Sequence, residues 1–182
     1  MTVPRIAVTR WPSADSSRRP AGPASHPLPP AGDPLAGAYD WPLHSYLELQ
    51  SRPASVPRAR EHARAVLRRW HLTGVADTVE LLVSEIATNA IRASDPARRH
   101  GHRTKAASAR RPQVIRLWLM SDTGHVMVQM WDSDQCQPVR RRADRDAEAG
   151  RGLLIIEALS SQWGSYAIQG VDGKFVWAVC GR

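Results

Sequence analysis

Apolar residues along the chain fall into a few short, distinct periods. Ala59, Ala63, Val66, Leu67 and Trp70 recur at steps of three and four, which predicts a helix. Arg58, Arg60, Arg64, Arg68 and Arg69 fall off that stripe, so the helix is basic outside and apolar inside. Ser55 is placed to cap it, and Pro57 is tolerated in its first turn. Gly74 separates it from a second helix, about 76 to 94, where Val79, Leu82, Val83, Ile86, Ala87, Ala90 and Ile91 give an apolar face wide enough for a central packed helix. Upstream, Tyr46-Leu47-Glu48-Leu49 alternates weakly and reads as an edge strand, with order beginning near Ser45.

Downstream the period shortens. Val114 to Met120 and His125 to Trp131 are strand runs joined by Ser121-Asp122-Thr123-Gly124, a hairpin. Leu153 to Leu159 predicts a short helix, and strands follow near Ser165 to Gln169 and Lys174 to Cys180, turned by Val171-Asp172-Gly173. The order is strand, two helices, hairpin, loop, helix, hairpin. Hairpin-joined strands with helices massed together argue for an α+β fold: a two-layer sandwich, its mixed, mostly antiparallel sheet covered on one face by helices.

Two polar stretches interrupt this order. Residues 95 to 112 form a basic loop rich in Arg, Ala and Ser, long enough to mark either function or disorder. Residues 133 to 149 are polar, charged and poor in glycine. Residues 1 to 43 hold nine of the 14 prolines. They read as a disordered tail, because they bury too little apolar surface to offset ordering entropy. Trp11, Tyr39 and Trp41 stand out there, either as anchors for a partner or as incidental aromatics.

Composition narrows the class. A chain of 182 residues holds one domain, 44 to 182, and the tail, and 42% hydrophobic residues suffice for a core. No apolar run approaches a membrane span and no secretory signal opens the chain, so a cytoplasmic location is expected, with Cys136 and Cys180 as reduced thiols. The net charge of +8 lies largely in loops, which favours solvated charge over a nucleic-acid site. No zinc-ligand spacing occurs.

Three groups of residues could carry chemistry. Glu85 and Asn89 lie four apart, nearly on one side of the second helix, with Arg92 following at i+7. Asn offers a neutral oxygen suited to Mg²⁺, and Glu can orient or deprotonate a nucleophile. By themselves they read as a polar stripe at the helix edge. Asp132 ends a strand run, where an acceptor can bind an exocyclic amine such as that of adenine. By itself it reads as an Asp opening a turn. Gly150-Arg151-Gly152 precedes the short helix. Such glycines let backbone N–H groups approach phosphate at a helix N-terminus. The sequence lacks the Lys-Ser/Thr pair of a Walker A loop and the third glycine of a dinucleotide fingerprint.

Taken in order, these pieces resemble the GHKL superfamily of ATP-binding domains (gyrase, heat-shock chaperone, histidine kinase and MutL types). The closest likeness is to anti-sigma-factor serine/threonine kinases of the RsbW/SpoIIAB type and their actinobacterial relatives. Ser84-Glu85-Ile86-Ala87-Thr88-Asn89-Ala90-Ile91-Arg92 resembles their N box, Val128-Gln129-Met130-Trp131-Asp132 their G1 box, and Gly150-Arg151-Gly152-Leu153-Leu154 with the following helix their G2 box. Arg69-Trp70-His71-Leu72, Trp163-Gly164 and Gly173-Lys174-Phe175-Val176-Trp177-Ala178 also match, so the likeness covers roughly 45 to 180.

The resemblance implies a Bergerat-type, histidine-kinase-like ATPase fold that binds ATP and Mg²⁺. Asn89 is implied as the Mg²⁺ ligand and Glu85 as the catalytic base. Asp132 is implied as the acceptor from adenine. Arg92, Gly150, Arg151, Gly152 and Leu153 are implied around the nucleotide, with 133 to 149 as the ATP lid and Arg140, Arg141, Arg142 and Arg145 near the γ-phosphate. It further implies a protein kinase acting on an anti-sigma antagonist, a sigma factor as partner and a homodimer. The alternative is a non-catalytic, ATP-dependent interaction module in transcription regulation. Departures are Phe175 where relatives often carry Thr, Ala93-Ser94 where they carry His-Ala, the long 95 to 112 loop and the tail.

Overall fold

The computed structural model describes residues 41–94, 113–134, 151–167 and 172–181. The chain runs β1 (Leu43–Gln50), α1 (Ser55–Arg69), a 3₁₀ turn (Thr73–Val75), α2 (Ala76–Ser94), β2 (Val114–Ser121), β3 (His125–Asp132), α3 (Arg151–Leu159), β4 (Gln162–Tyr166) and β5 (Lys174–Gly181). The strands form one sheet in the order β1-β2-β3-β5-β4.

Among the described residues every neighbouring pair is antiparallel, so the sheet expected to be mostly antiparallel is wholly so, without the mixed pairing. The reason is topological. Two helices between β1 and β2 give the chain three reversals, an odd number, so β2 runs against β1. β4 does run in the direction of β3, but β5 lies between them and removes the parallel contact.

The pleat divides the strand residues between two faces. Leu49, Ile115, Leu117, Leu119, Val126, Val128, Met130, Val176, Ala178 and Cys180 face the helices. There they meet Ala59, Ala63, Val66 and Leu67 of α1, Val79, Leu82, Val83, Ile86, Ala87 and Ala90 of α2, and Leu153 and Ile156 of α3. α2 lies over β2, β3 and β5, with α1 on β1 and α3 beside β4. Burial lifts the Cys180 thiol to about 11, so it is an inert part of this core.

Three local expectations change. Ser55 is the first residue of α1 rather than its cap. Ala54 holds the cap position, and the Ser55 hydroxyl donates to Gln50 O at 2.7 Å, tying α1 to the end of β1. The strand expected near Ser165 to Gln169 begins at Gln162. Ser160 closes α3 through its hydroxyl on Ile156 O, and Ser161 N already pairs with Val179 O at 2.8 Å, which starts the ladder there. Finally, β1 starts at Leu43, inside the expected tail, and Trp41 packs against the molecule's own sheet. The remaining residues of the tail, the 95 to 112 loop and all of the 133 to 149 stretch except Ser133 and Asp134 lie outside the described residues.

The β2–β3 turn fixes which face each β3 side chain takes, since a one-residue slip would reverse them all. Asp122 Oδ1 accepts from Gly124 N at 2.8 Å and from His125 N at 2.6 Å. Burial pushes the Asp122 carboxyl up, but these bonds and the His125 ring outweigh it and hold it below the ordinary value. A lowered folded value gives stability that is complete above the unfolded pKa of about 3.9 and is lost as pH falls through the folded value. Asp122→Ala should therefore cost about 1 kcal/mol near neutrality and should flatten the acid side of the stability profile. Urea unfolding at several pH values measures both effects; a loss that persists unchanged at pH 2 would contradict this assignment.

Candidate functional site

One turn of α2 and the start of α3 come into contact through a glycine. Glu85 and Asn89 point from α2 toward Gly152, in the first turn of α3. A Cβ placed on Gly152 would stand 2.7 Å from Glu85 Oε2 and 3.3 Å from Asn89 Nδ2. No side chain fits there without moving the Glu85 carboxylate. Both polar residues are half-buried beside Leu82, Val83, Ile86 and Ala87, which are buried. A carboxylate and an amide thus converge on the first turn of a helix whose N–H groups and dipole favour an anion.

A second arrangement ends β3 and begins β5. By alternation from Met130 and Val176, Asp132 and Lys174 face the helix layer, and they pair across the strands. Asp132 is 1% exposed and Lys174 3%. Lys174 Nζ donates to Asp132 Oδ1 at 2.9 Å and to Asp134 O at 3.1 Å, and Asp134 N donates to the same Asp132 oxygen at 2.9 Å. Burial raises the Asp132 carboxyl above its ordinary value, with the Lys174 ammonium offsetting only part of the desolvation.

Gly173 makes this pairing feasible. Its φ is +101°, and a Cβ there would run into the Asp132 carbonyl oxygen and the Trp131 indole. Trp131 Nε1 in turn donates to Asp172 O at 3.1 Å, closing the turn over the end of β3.

The residues expected from the sequence divide accordingly. Glu85, Asn89 and Gly152 meet. Asp132 lies on the same side of the sheet as the helices that carry them. Arg92 is exposed in the last turn of α2, and the Leu153 side chain belongs to the core, leaving its backbone for a ligand. Gly150 and the lid arginines Arg140, Arg141, Arg142 and Arg145 lie outside the described residues, as does the side chain of Arg151. Phe175 faces away from Asp132, stacked on Tyr166 at 5.0 Å, which leaves the neighbourhood of Asp132 to Lys174. Sequence reasoning gave Lys174 no role. The available signal was its alternation: a lysine two residues before Val176 shares that residue's inward face.

Among the described residues no group of three His, Cys, Asp or Glu side chains could hold a metal. The donor set at Gly152, one amide and one carboxylate, suits Mg²⁺, which takes few protein ligands and keeps phosphate oxygens and waters.

A family model described as the histidine kinase-like ATPase domain matches residues 49–179. That span runs from the end of β1 into β5 and contains every described element between them. No curated protein matches the chain.

Two outcomes are expected from this geometry. Gly152→Ala should leave thermal stability within about 1 kcal/mol, since Ala favours helix. It should weaken nucleotide binding about tenfold or more by crowding Asn89 and the first turn of α3, where the phosphates would approach. Calorimetric titration with ATP beside a melting curve separates the two. Lys174→Met should cost about 3–5 kcal/mol by stranding a buried carboxylate. Asp132→Asn in the same chain should recover part of that loss in a denaturation series.

Proposed function

The chain belongs to the histidine kinase-like ATPase domain family, and from that premise we propose that it is an ATP- and Mg²⁺-dependent serine/threonine protein kinase of the anti-sigma-factor type. ATP binding follows from the family. The kinase reading rests on one observation: Glu85 and Asn89 converge on Gly152 at the head of α3. A carboxylate placed against bare phosphate repels it, so it must either help hold a cation there or act on another group. A carboxylate there is useful when a proton has to be taken from an attacking group.

In this proposal Asn89 would hold Mg²⁺, and the ion would supply positive charge beside the nucleotide's phosphates. The first-turn N–H groups of α3 face the phosphates. Gly152, lacking a Cβ, lets them approach. Asp132 accepts from the adenine amino group with its second oxygen, while Lys174 and the Asp134 N–H hold the first. The acceptor serine is positioned so that Glu85 takes its hydroxyl proton. The oxygen then bonds to the γ-phosphorus, the bond to the β–γ bridging oxygen breaks, and ADP leaves. The protein substrate is an antagonist of an anti-sigma factor, and a sigma factor and a second copy of the chain are the further partners this reading assigns.

Glu85→Gln is the discriminating variant. It keeps size and hydrogen bonding but removes the base. ATP affinity should stay within about threefold, whereas phosphate transfer to a serine-bearing antagonist should fall by about 10²–10⁴. Labelled ATP and a filter assay read both quantities. Equal transfer by wild type and variant would remove Glu85 from the mechanism. Tight ATP binding by the wild type, with no transfer to any antagonist, would make the chain a non-catalytic module that uses ATP to shape a binding surface.

A further inference from the structure

The sheet has a second apolar face, and none of the three helices lies over it. On the side away from α1, α2 and α3, Trp118, Met120, Met127, Phe175, Trp177 and Val179 form a separate cluster. Tyr46, Trp131 and Tyr166 pack around it. The rings touch in series: Tyr46 to Trp118 at 5.1 Å, Trp118 to Phe175 at 5.7 Å, and Phe175 stacked on Tyr166. Arg116 lies over Trp131 at 4.6 Å. Gly164 keeps β4 low enough for the Trp177 ring, which a Cβ there would meet at 2.9 Å.

This face is an aromatic platform, yet it is dry. Met127 and Val179 in its middle are 0% exposed. Trp41, where the described residues begin, is itself packed against the same cluster. The described chain therefore begins at this face and not at the nucleotide side. The sequence before Trp41 holds Pro20-Ala21-Gly22-Pro23 and Pro27-Leu28-Pro29-Pro30, two P-x-x-P spacings. Proline-rich segments of that spacing dock on aromatic-lined surfaces because their extended helix is pre-formed and loses little entropy. Reach is sufficient. At about 3.1 Å per residue the stretch from Pro27 to Asp40 extends roughly 40 Å, whereas five strands at about 4.8 Å spacing are about 19 Å wide.

We propose that the proline-rich segment preceding Trp41, centred on Pro27 to Pro30, docks in the same molecule across the outer aromatic face of the sheet. It serves there as a third layer over Trp118, Met127, Trp177 and Val179. The segment is thus a built-in cover for a face that would otherwise be open to self-association. Its position also sets it behind Trp131 and Phe175, on the strands that carry Asp132 and Lys174 on their other side.

The test uses the full chain with p-benzoylphenylalanine in place of Leu28, irradiated at low concentration, followed by gel separation and peptide mapping. The expected product is a monomer-sized crosslink to the peptides carrying Trp118, Met127 or Trp177. Absence of such crosslinks, or crosslinks to this face in dimer-sized product only, would overturn the proposal; the dimer-only result would make a second copy the occupant. As an independent arm, Pro27→Ser, Pro29→Ser and Pro30→Ser are combined in the full chain. Four of the seven tryptophans, Trp41, Trp118, Trp131 and Trp177, belong to this face. Loss of the cover should raise the acrylamide quenching constant by about twofold, a local opening without global unfolding. An unchanged constant would sink the idea. Neither readout depends on ATP or on kinase activity.

Discussion

An ammonium and a carboxylate are costly to bury one at a time, and at the junction of β3 and β5 they are buried together. Much of the molecule is consistent with that requirement. Asp132 and Lys174 are cross-strand partners only in the observed register, and a slip by one residue would turn one of them to the opposite face. Gly173 supplies the positive φ that lets β5 begin there. The β2–β3 turn, held by Asp122, feeds β3 in the matching phase. The pair therefore links the register of the sheet to the chemistry at its end. Its worth as net stability is a separate matter, since a buried ion pair spends most of its attraction on desolvation. Its clearer effect is specificity, as removing either partner strands the other.

The nucleotide side is built from two close approaches. One is the Asp132–Lys174 pair. The other is the contact of α3 with α2 through Gly152, which brings Glu85 and Asn89 against a helix start. These approaches belong to one helix-facing side, where α2 lies over β3 and β5 and packs against α3. The opposite side of the same strands is devoted to aromatic packing. The two-residue period of a strand separates the two functions: Met130 and Asp132 look inward while Gln129 and Trp131 look outward, so neither side has to compromise the other.

Much of the architecture was legible from periodicity. The amphipathic stripe of α1, the broader face of α2, the β2–β3 hairpin and the one-sided helical layer follow from apolar spacing, because burial of those residues is the main driving force for folding. Boundaries were less legible. Ser55 lies inside the helix, and its hydroxyl donates to Gln50 O instead of accepting from the first turn. β4 began three residues early because Ser161 already bonds Val179 O, a partner eighteen residues away. The second outcome depends on a group distant in sequence, and the first on where the preceding strand ends.

The sequence alone determined the candidate site's vocabulary: a carboxylate and an amide at helical spacing, an Asp at a strand end, glycines before a helix, and the family these spell. Those are local facts, set by residue type and period. Tertiary structure decided which of them meet. It brought Gly152 against Glu85 and Asn89, recruited Lys174 as the partner of Asp132, and turned Phe175 away. It also gathered Trp41 and the strand aromatics on one outer face. Such meetings depend on strand order and register, which are settled by the packing of the whole core rather than by any one segment.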